Sequence, residues 1–271
     1  MEPTSQLSDV NQDKQQTIKS SFSLSGISIH SGKDCTATFR PAKTNSGIYF
    51  IYQGKKFEAL IKNLGSTQRE TCIGEVKLVE HILAAAYGLG IDNLEIELSH
   101  FEAPILDGSA APFLEAFKNT GIIEQEAKKS FLIISKILSV SEGDSSLEIR
   151  PYNGFKINFM VEFPMIGRQT LEYNGNFEAI AAARTFGYLS EFEALKAKNL
   201  ALGASIENAL VVGPNGYLNT PRYPDEPVRH KILDLIGDLA LLGRPIKGEI
   251  SAVKSGHKLN SELVKKLSAV C

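Results

Sequence analysis

The stretch that most constrains this chain is PDEPVRHKILDLIGDLALLGR, residues 224–244. Val228, Ile232, Leu233, Leu235, Ile236, Leu239 and Leu242 make it apolar on most of its surface, as expected of a helix buried on several sides. Asp225 suits the N-cap, Pro227 the first turn and Gly243 the C-terminal stop. Within this apolar run His230, Asp234 and Asp238 recur every four residues, which places them on one face. Ionisable side chains on a buried helix are costly unless paired or bound to a metal. His-x3-Asp sets an imidazole and a carboxylate one turn apart and pointing the same way, a good metal-ligand spacing. A solvated stripe carrying a surface ion pair explains the pattern equally well, and two ligands do not complete a metal site.

The chain has 271 residues, 43% of them apolar, and a net charge of −2, so it can bury a real core in one large or two ordinary domains. Its charges are interspersed, with no basic field for nucleic acid. No apolar run is long enough to span a bilayer. The first 15 residues are polar and read as a flexible tail without a signal-peptide core. Cys35, Cys72 and Cys271 are few, odd in number and not in CxxC pairs, which points to a reduced, cytoplasmic protein and away from cysteine-ligated zinc.

Residues 17–62 read as short strands and turns, with His30 in a turn. Residues 75–90, EVKLVEHILAAAYGLG, read as a helix in which the adjacent Glu80 and His81 sit among apolar neighbours. His81 is a satisfied core histidine or a metal ligand; the absence of HExxH separates this helix from the common metalloprotease pattern. Residues 92–117 give a strand, a turn at 104–109 and a short helix, with Asp107 or Ser109 as its cap. EQEAKK, 124–129, reads as a linker between a first domain at 16–123 and a second at 130–271. Strands resume after it, followed by helices near 177–183 and 190–198, a mixed segment at 200–219, a strand near 247–252 and a last helix from about Asn260. His100 reads as a surface loop residue.

Seven motifs then occur in a telling order: GISIHSGK, VEHILAAAYGLGIDN, PILDGSAAPF, ARTFGY, ALGASIENALVV, DEPVRHKILDLIGDL and SGHKLN. Together, over about residues 16–262, they resemble the UDP-3-O-acyl-N-acetylglucosamine deacetylase (LpxC) family of lipid A biosynthesis. The resemblance implies an α+β fold of two similar domains, each a small sheet layered against two helices, with the active site at their interface. It implies Zn2+, with Fe2+ as an alternative, held by His81 and, on the helix 226–242, by His230 and Asp234. It implies Glu80 as general base, His257 as second acid/base group, Asp238 as its orienting carboxylate and Thr185 as oxyanion donor. Asp107, Lys136, Phe155, Phe186, Lys231 and Lys254 match positions near the UDP-sugar, and 200–219 matches an insert that forms an apolar passage for the acyl chain. The expected partner is that amphiphilic substrate, reached by a monomer in transient contact with a membrane surface. An amidase for another N-acetylated sugar, and a non-enzymatic binding protein on the same fold, are the alternatives.

Overall fold

The computed structural model describes residues 14–67 and 70–270. The N-terminal tail expected at 1–15 falls on residues 1–13, outside the described residues, except that Lys14–Ile18 forms a strand. That strand pairs antiparallel with Ile122–Lys128. The expected linker 124–129 is therefore strand through Lys128. Its partner lies more than 100 residues away, and local composition carries no trace of such a pairing.

Two larger sheets share one topology. In the first, the spatial order is Phe22–Ile27, Asp34–Pro41, Leu94–Leu98, Ile48–Tyr52 and Lys55–Glu58. In the second it is Leu138–Glu142, Ser145–Arg150, Ile246–Val253, Phe155–Phe163 and Gly167–Tyr173. The second sheet has a sixth strand, Leu132–Ile133, parallel to the start of Ile246–Val253; along each five-strand path the last strand in chain order enters the middle, antiparallel to the second and parallel to the third. The inserted strands are apolar on alternate or successive positions and buried, as central strands must be. The suggested duplication is thus a fact of topology, although it leaves no clear repeat in the sequence.

Among the described residues six α-helices accompany the sheets: α1 (Glu80–Gly88), α2 (Ala111–Thr120), α3 (Glu178–Ala181), α4 (Phe192–Lys196), α5 (Glu226–Leu239) and α6 (His257–Ser268). Helix α2 docks on the first sheet through an aromatic cluster in which Phe117 meets Phe22 and Phe39 edge-on, with ring centroids 5.6 and 5.3 Å apart. Helices α5 and α6 cover the second sheet, and α1 packs along α5. At Gly237 the two helices come close: an added Cβ would lie 2.3 Å from the carbonyl oxygen of Glu80. Only glycine lets the two backbones meet there.

The boundaries of the functional helices differ from the sequence reading in instructive ways. Helix α1 begins at Glu80, because Val76–Lys77 pairs with Cys72–Ile73 in a short hairpin and Leu78 takes a left-handed φ of 60°. Helix α5 ends at Leu239, and a 3-10 turn carries the chain to Gly243 at φ 69°. Asp225 occupies the N-cap position without capping: its carboxylate takes both Arg229 guanidinium contacts, at 2.6 and 3.1 Å. Helix α6 starts at His257, three residues earlier than expected, so that histidine opens the helix.

Candidate metal centre and acid/base site

Three side chains meet where α1 crosses α5. One ligand atom from each of His81, His230 and Asp234 lies within 4.8 Å of the others, and all three residues are buried. His81 comes from the first turn of α1; His230 and Asp234 are one turn apart on α5. The imidazoles pack edge to face, with centroids 5.1 Å apart. His230 Nδ1 lies 3.0 Å from the Ala183 carbonyl, so it carries the proton, and its Nε2 is left bare 3.3 Å from Asp234 Oδ1. Asp234 Oδ2 accepts from Lys231 Nζ at 2.6 Å, which leaves Oδ1 facing the histidines.

The donor set fits a metal. His81 Nδ1 is buried with no hydrogen-bond partner, a costly arrangement for an imidazole that does nothing. Burial pushes the His81 pKa down to about 3, with His230 adding to the shift, and burial lowers His230 as well. Both rings are therefore neutral, as ligation requires. Burial works against the Asp234 carboxylate, but the cations beside it, Lys231 at 2.6 Å and His257, hold the group well below the usual range. Two neutral imidazoles and one carboxylate leave room for further ligands, the composition of a hydrolytic rather than a structural site.

Beside this trio lie Glu80 and His257. Glu80 Oε1 and Asp234 Oδ2 stand 3.8 and 3.7 Å from His257 Nε2. The other ring nitrogen, Nδ1, faces Asp238 Oδ2 at 2.9 Å, and Asn260 donates to that same oxygen at 2.8 Å. Burial raises the Glu80 pKa and Asp234 adds to the rise, while His257 opposes it. Burial disfavours the His257 cation, but Asp238, Asp234 and Glu80 prevail and raise its pKa. With both groups buried and 3.8 Å apart, the pair can hold a proton between them.

Glu80, His81, Thr185, Phe186, His230, Lys231, Asp234 and His257 all line one cavity of about 510 Å³. Asp238 stands behind it, against His257. Away from the ionisable end the cavity is mostly apolar, walled by Leu189, Phe192, Leu195, Ile206, Val211 and Leu218, with Glu191 and Ser205 as its polar interruptions. Much of that wall comes from the segment between Tyr173 and α5, which builds a three-stranded sheet of its own from Phe186–Tyr188, Leu210–Gly213 and Gly216–Tyr217. This segment docks on the first sheet's half: Leu202 and Gly203 donate to the carbonyls of His30 and Ile29 at 3.1 and 3.0 Å. Thr185 N donates to the Gly108 carbonyl at 2.7 Å, and the Thr185 carbonyl accepts from Leu210 N at 2.8 Å. A buried ion pair, Arg184 with Glu226 at 2.9 Å, ties the segment to the start of α5.

Four expected substrate-side residues do not line this cavity. Asp107 accepts from Ser109 and from Arg222 at 2.7 Å, holding the turn before α2. Phe155 packs between Tyr87 and Tyr173. Lys254 Nζ sits 2.8 Å from both Asp144 and Glu162, and Lys136 is exposed. His30, read as a turn residue, does line the cavity, and its Nδ1 faces the backbone N–H of Ala201 at 3.4 Å. His100 stacks on Phe101 outside the cavity.

Thr71 was not legible as a site residue. It is buried, its backbone N–H donates to Glu80 Oε2 at 3.1 Å, its hydroxyl donates to Asp238 Oδ1, and its Oγ lies 3.1 Å from His257 Nδ1. A threonine in an unpatterned loop nine residues before Glu80 gives no periodic signal; only the folded chain brings it to the site.

The comparisons with known proteins agree with this geometry. The family model for LpxC, UDP-3-O-acyl N-acetylglycosamine deacetylase, matches residues 15–269. UDP-3-O-acyl-N-acetylglucosamine deacetylases from two strains of Coxiella burnetii, CbuK_Q154 and Dugway 5J108-111, are each 44% identical over 274 residues, covering 94% of this chain and 90% of the relative. With a match this long and a metal-ready trio at the crossing of α1 and α5, the chain belongs to the LpxC deacetylase family.

Proposed function

We propose that this protein hydrolyses the 2-acetamido group of UDP-3-O-acyl-N-acetylglucosamine, releasing acetate and the free amine, an early committed step of lipid A biosynthesis. The observation that carries the reading is the convergence of His81, His230 and Asp234 with Glu80 and His257 at one end of a cavity whose other walls are apolar. A reacting amide fits the polar end and an acyl chain the apolar one. The family match and the named relatives supply the sugar nucleotide.

His81 Nδ1 or Nε2, His230 Nε2 and Asp234 Oδ1 would hold the metal, and two imidazoles with one carboxylate suit Zn2+. When bound, such an ion polarises an amide carbonyl and lowers the pKa of water. Glu80 Oε1 takes the proton from the attacking water as its oxygen bonds to the acetyl carbon. The Thr185 hydroxyl, fixed by backbone bonds on both sides, donates to the carbonyl oxygen as it gains charge. His257 Nε2 gives a proton to the sugar nitrogen as the C–N bond breaks, since an amide anion is a poor leaving group. Phe186, packed edge-on against Phe163 with centroids 5.2 Å apart, stands where polar end and apolar wall meet.

On this reading 16–123 and 130–271 are two domains with the site between them, and Asp107, Lys136, Phe155 and Lys254 serve the sugar nucleotide outside the cavity described here. No helix among the described residues is long and apolar enough to cross a membrane. A cytoplasmic monomer that meets its amphiphilic substrate at the membrane surface accords with that. Acetate release from acylated and unacylated UDP-N-acetylglucosamine tests the proposal: turnover that requires the acyl chain supports it, and equal turnover of both contradicts the assigned substrate.

A further inference from the structure

The acid/base pair is held by a residue from neither of the helices that carry it. We propose that Thr71 is the positioning residue of this site, aiming Glu80 Oε1 and His257 Nε2 at one point and fixing which nitrogen of His257 exchanges its proton. The inference rests on the roles given above to Glu80 and His257.

The argument is one of hydrogen-bond valence. The Thr71 hydroxyl has a single hydrogen, and it goes to Asp238 Oδ1. Toward His257 Nδ1, 3.1 Å away, Oγ therefore presents only lone pairs. The other neighbour of Nδ1, Asp238 Oδ2 at 2.9 Å, is also an acceptor, and Asn260 Nδ2 already donates to it. With acceptors on both sides, Nδ1 must carry a hydrogen. In the singly protonated ring the free lone pair is then on Nε2, the nitrogen that faces Glu80 Oε1 and Asp234 Oδ2. Asp238 Oδ2 holds the ring from one side; Thr71 adds the second acceptor that completes its orientation and satisfies the Asp238 oxygen that the ring does not touch.

The backbone of the same residue acts on the base. Thr71 N–H donates to Glu80 Oε2 at 3.1 Å, which occupies that oxygen and turns Oε1 toward His257. One residue thus restrains both partners, through its main chain on one side and its hydroxyl on the other. It belongs to the loop before the Cys72–Ile73 strand, and so links α1 to residues of α5 and α6.

The test uses the metal-loaded, full-length protein with acylated UDP-N-acetylglucosamine. Thr71→Val keeps shape and backbone N–H and removes the hydroxyl; Thr71→Ser keeps the hydroxyl. Thr71→Val should keep its metal and its KM while kcat falls roughly 10- to 100-fold, the usual worth of a partner that orients a reacting group through its neighbour. Thr71→Ser should restore kcat toward the wild-type value. Normal kcat in Thr71→Val, or a Thr71→Ser enzyme as slow as Thr71→Val, overturns the inference. Nitrogen NMR of the wild-type His257 ring tests it without any variant: the singly protonated ring should carry its hydrogen on Nδ1, and a hydrogen on Nε2 refutes the assignment even if Thr71→Val does not fold. Glu80→Gln and His257→Gln run in the same assay separate the two readings. If both are inactive while Thr71→Val is fully active, the inference about Thr71 fails alone. If all three are fully active, the functional reading fails with it.

Discussion

The two halves of the molecule share a sheet topology and differ most in one connection, the one from the fourth strand to the helix that follows. In the first half it runs over 59–79, holds a two-strand hairpin and delivers Thr71 to the site. In the second it runs over 174–225 and builds two short helices, a small sheet and the apolar wall of the cavity. The helices that end these connections diverge too. Helix α1 offers Glu80 and His81 from its first turn and is otherwise alanine-rich and apolar; α5 offers His230, Asp234 and Asp238 along its length. Neither half holds a complete donor set. On the proposed function, a duplicated scaffold would split one site's labour, with the metal and proton chemistry where equivalent helices cross and the selectivity where one connection has lengthened.

The comparison can be broken most sharply at Glu80, the proposed base contributed by the first half. Glu80→Gln should keep metal and fold and lose roughly 10²–10⁴ in rate, the range of a general base. Near-normal turnover with full metal would move the base into the second half, to His257.

A second break tests whether the long connection is anchored by its buried ion pair. Glu226 is fully buried and accepts from Arg184 and from the backbone of Arg222. Glu226→Gln should lower stability by about 3–5 kcal/mol, the cost of stranding one partner of a buried pair. Burial alone would raise the Glu226 pKa, but the Arg184 and backbone hydrogen bonds outweigh it and hold the folded value below 4.5. A depressed carboxylate contributes stability above its unfolded pKa and loses it as pH falls through the folded value. Denaturant titrations should therefore show the wild type losing its advantage over Glu226→Gln below about pH 4.5, in line with that linkage. An advantage that does not change with pH would mean Glu226 acts by packing alone.

How far the sequence foretold each half follows from the same contrast. Helix α5 was legible because three ionisable residues at spacing four stand out on an apolar surface. Helix α1 was legible in its apolar body, but its start was misplaced by five residues, since the left-handed Leu78 and the hairpin before it follow from tertiary pairing. The strand at 122–128 was invisible because its partner is the distant segment Lys14–Ile18. The spacing around His81 fits a core histidine as well as a ligand, and only the ordered set of motifs gives it and Glu80 a role. Thr71 had no signal of any kind.

The lengthened connection gives the third test. Ala204 and Ala209 line the cavity. Ala204→Asp or Ala209→Asp should slow the long-chain substrate more than a chain-truncated analogue, by about 10-fold or more, as expected for an ionised group set against a buried chain. Equal slowing of both would assign the segment to folding.

The smallest expected effect is a displacement of the pH profile. If Glu80 must be ionised, activity falls as pH drops through its pKa, which burial raises above 4.5. If His257 must be protonated, activity falls as pH rises through its pKa, which Asp238, Asp234 and Glu80 raise above 6.5 against the effect of burial. Both limbs of the kcat/KM bell should lie on the alkaline side of those values, and they belong to the coupled set rather than to single residues. An acid limb at 4.5 or below would show that the bound cation outweighs the effect of burial on Glu80.

The central claim is that one metal is shared across the two halves, with His81 from α1 and His230 and Asp234 from α5. Metal analysis of purified His81→Ala beside the wild type tests it most directly. The wild type should carry about one catalytic metal per chain, as a three-ligand site implies, and His81→Ala should lose most of it although both α5 ligands remain, while Cys72→Ala keeps it all. Full metal and full activity in His81→Ala would contradict the claim.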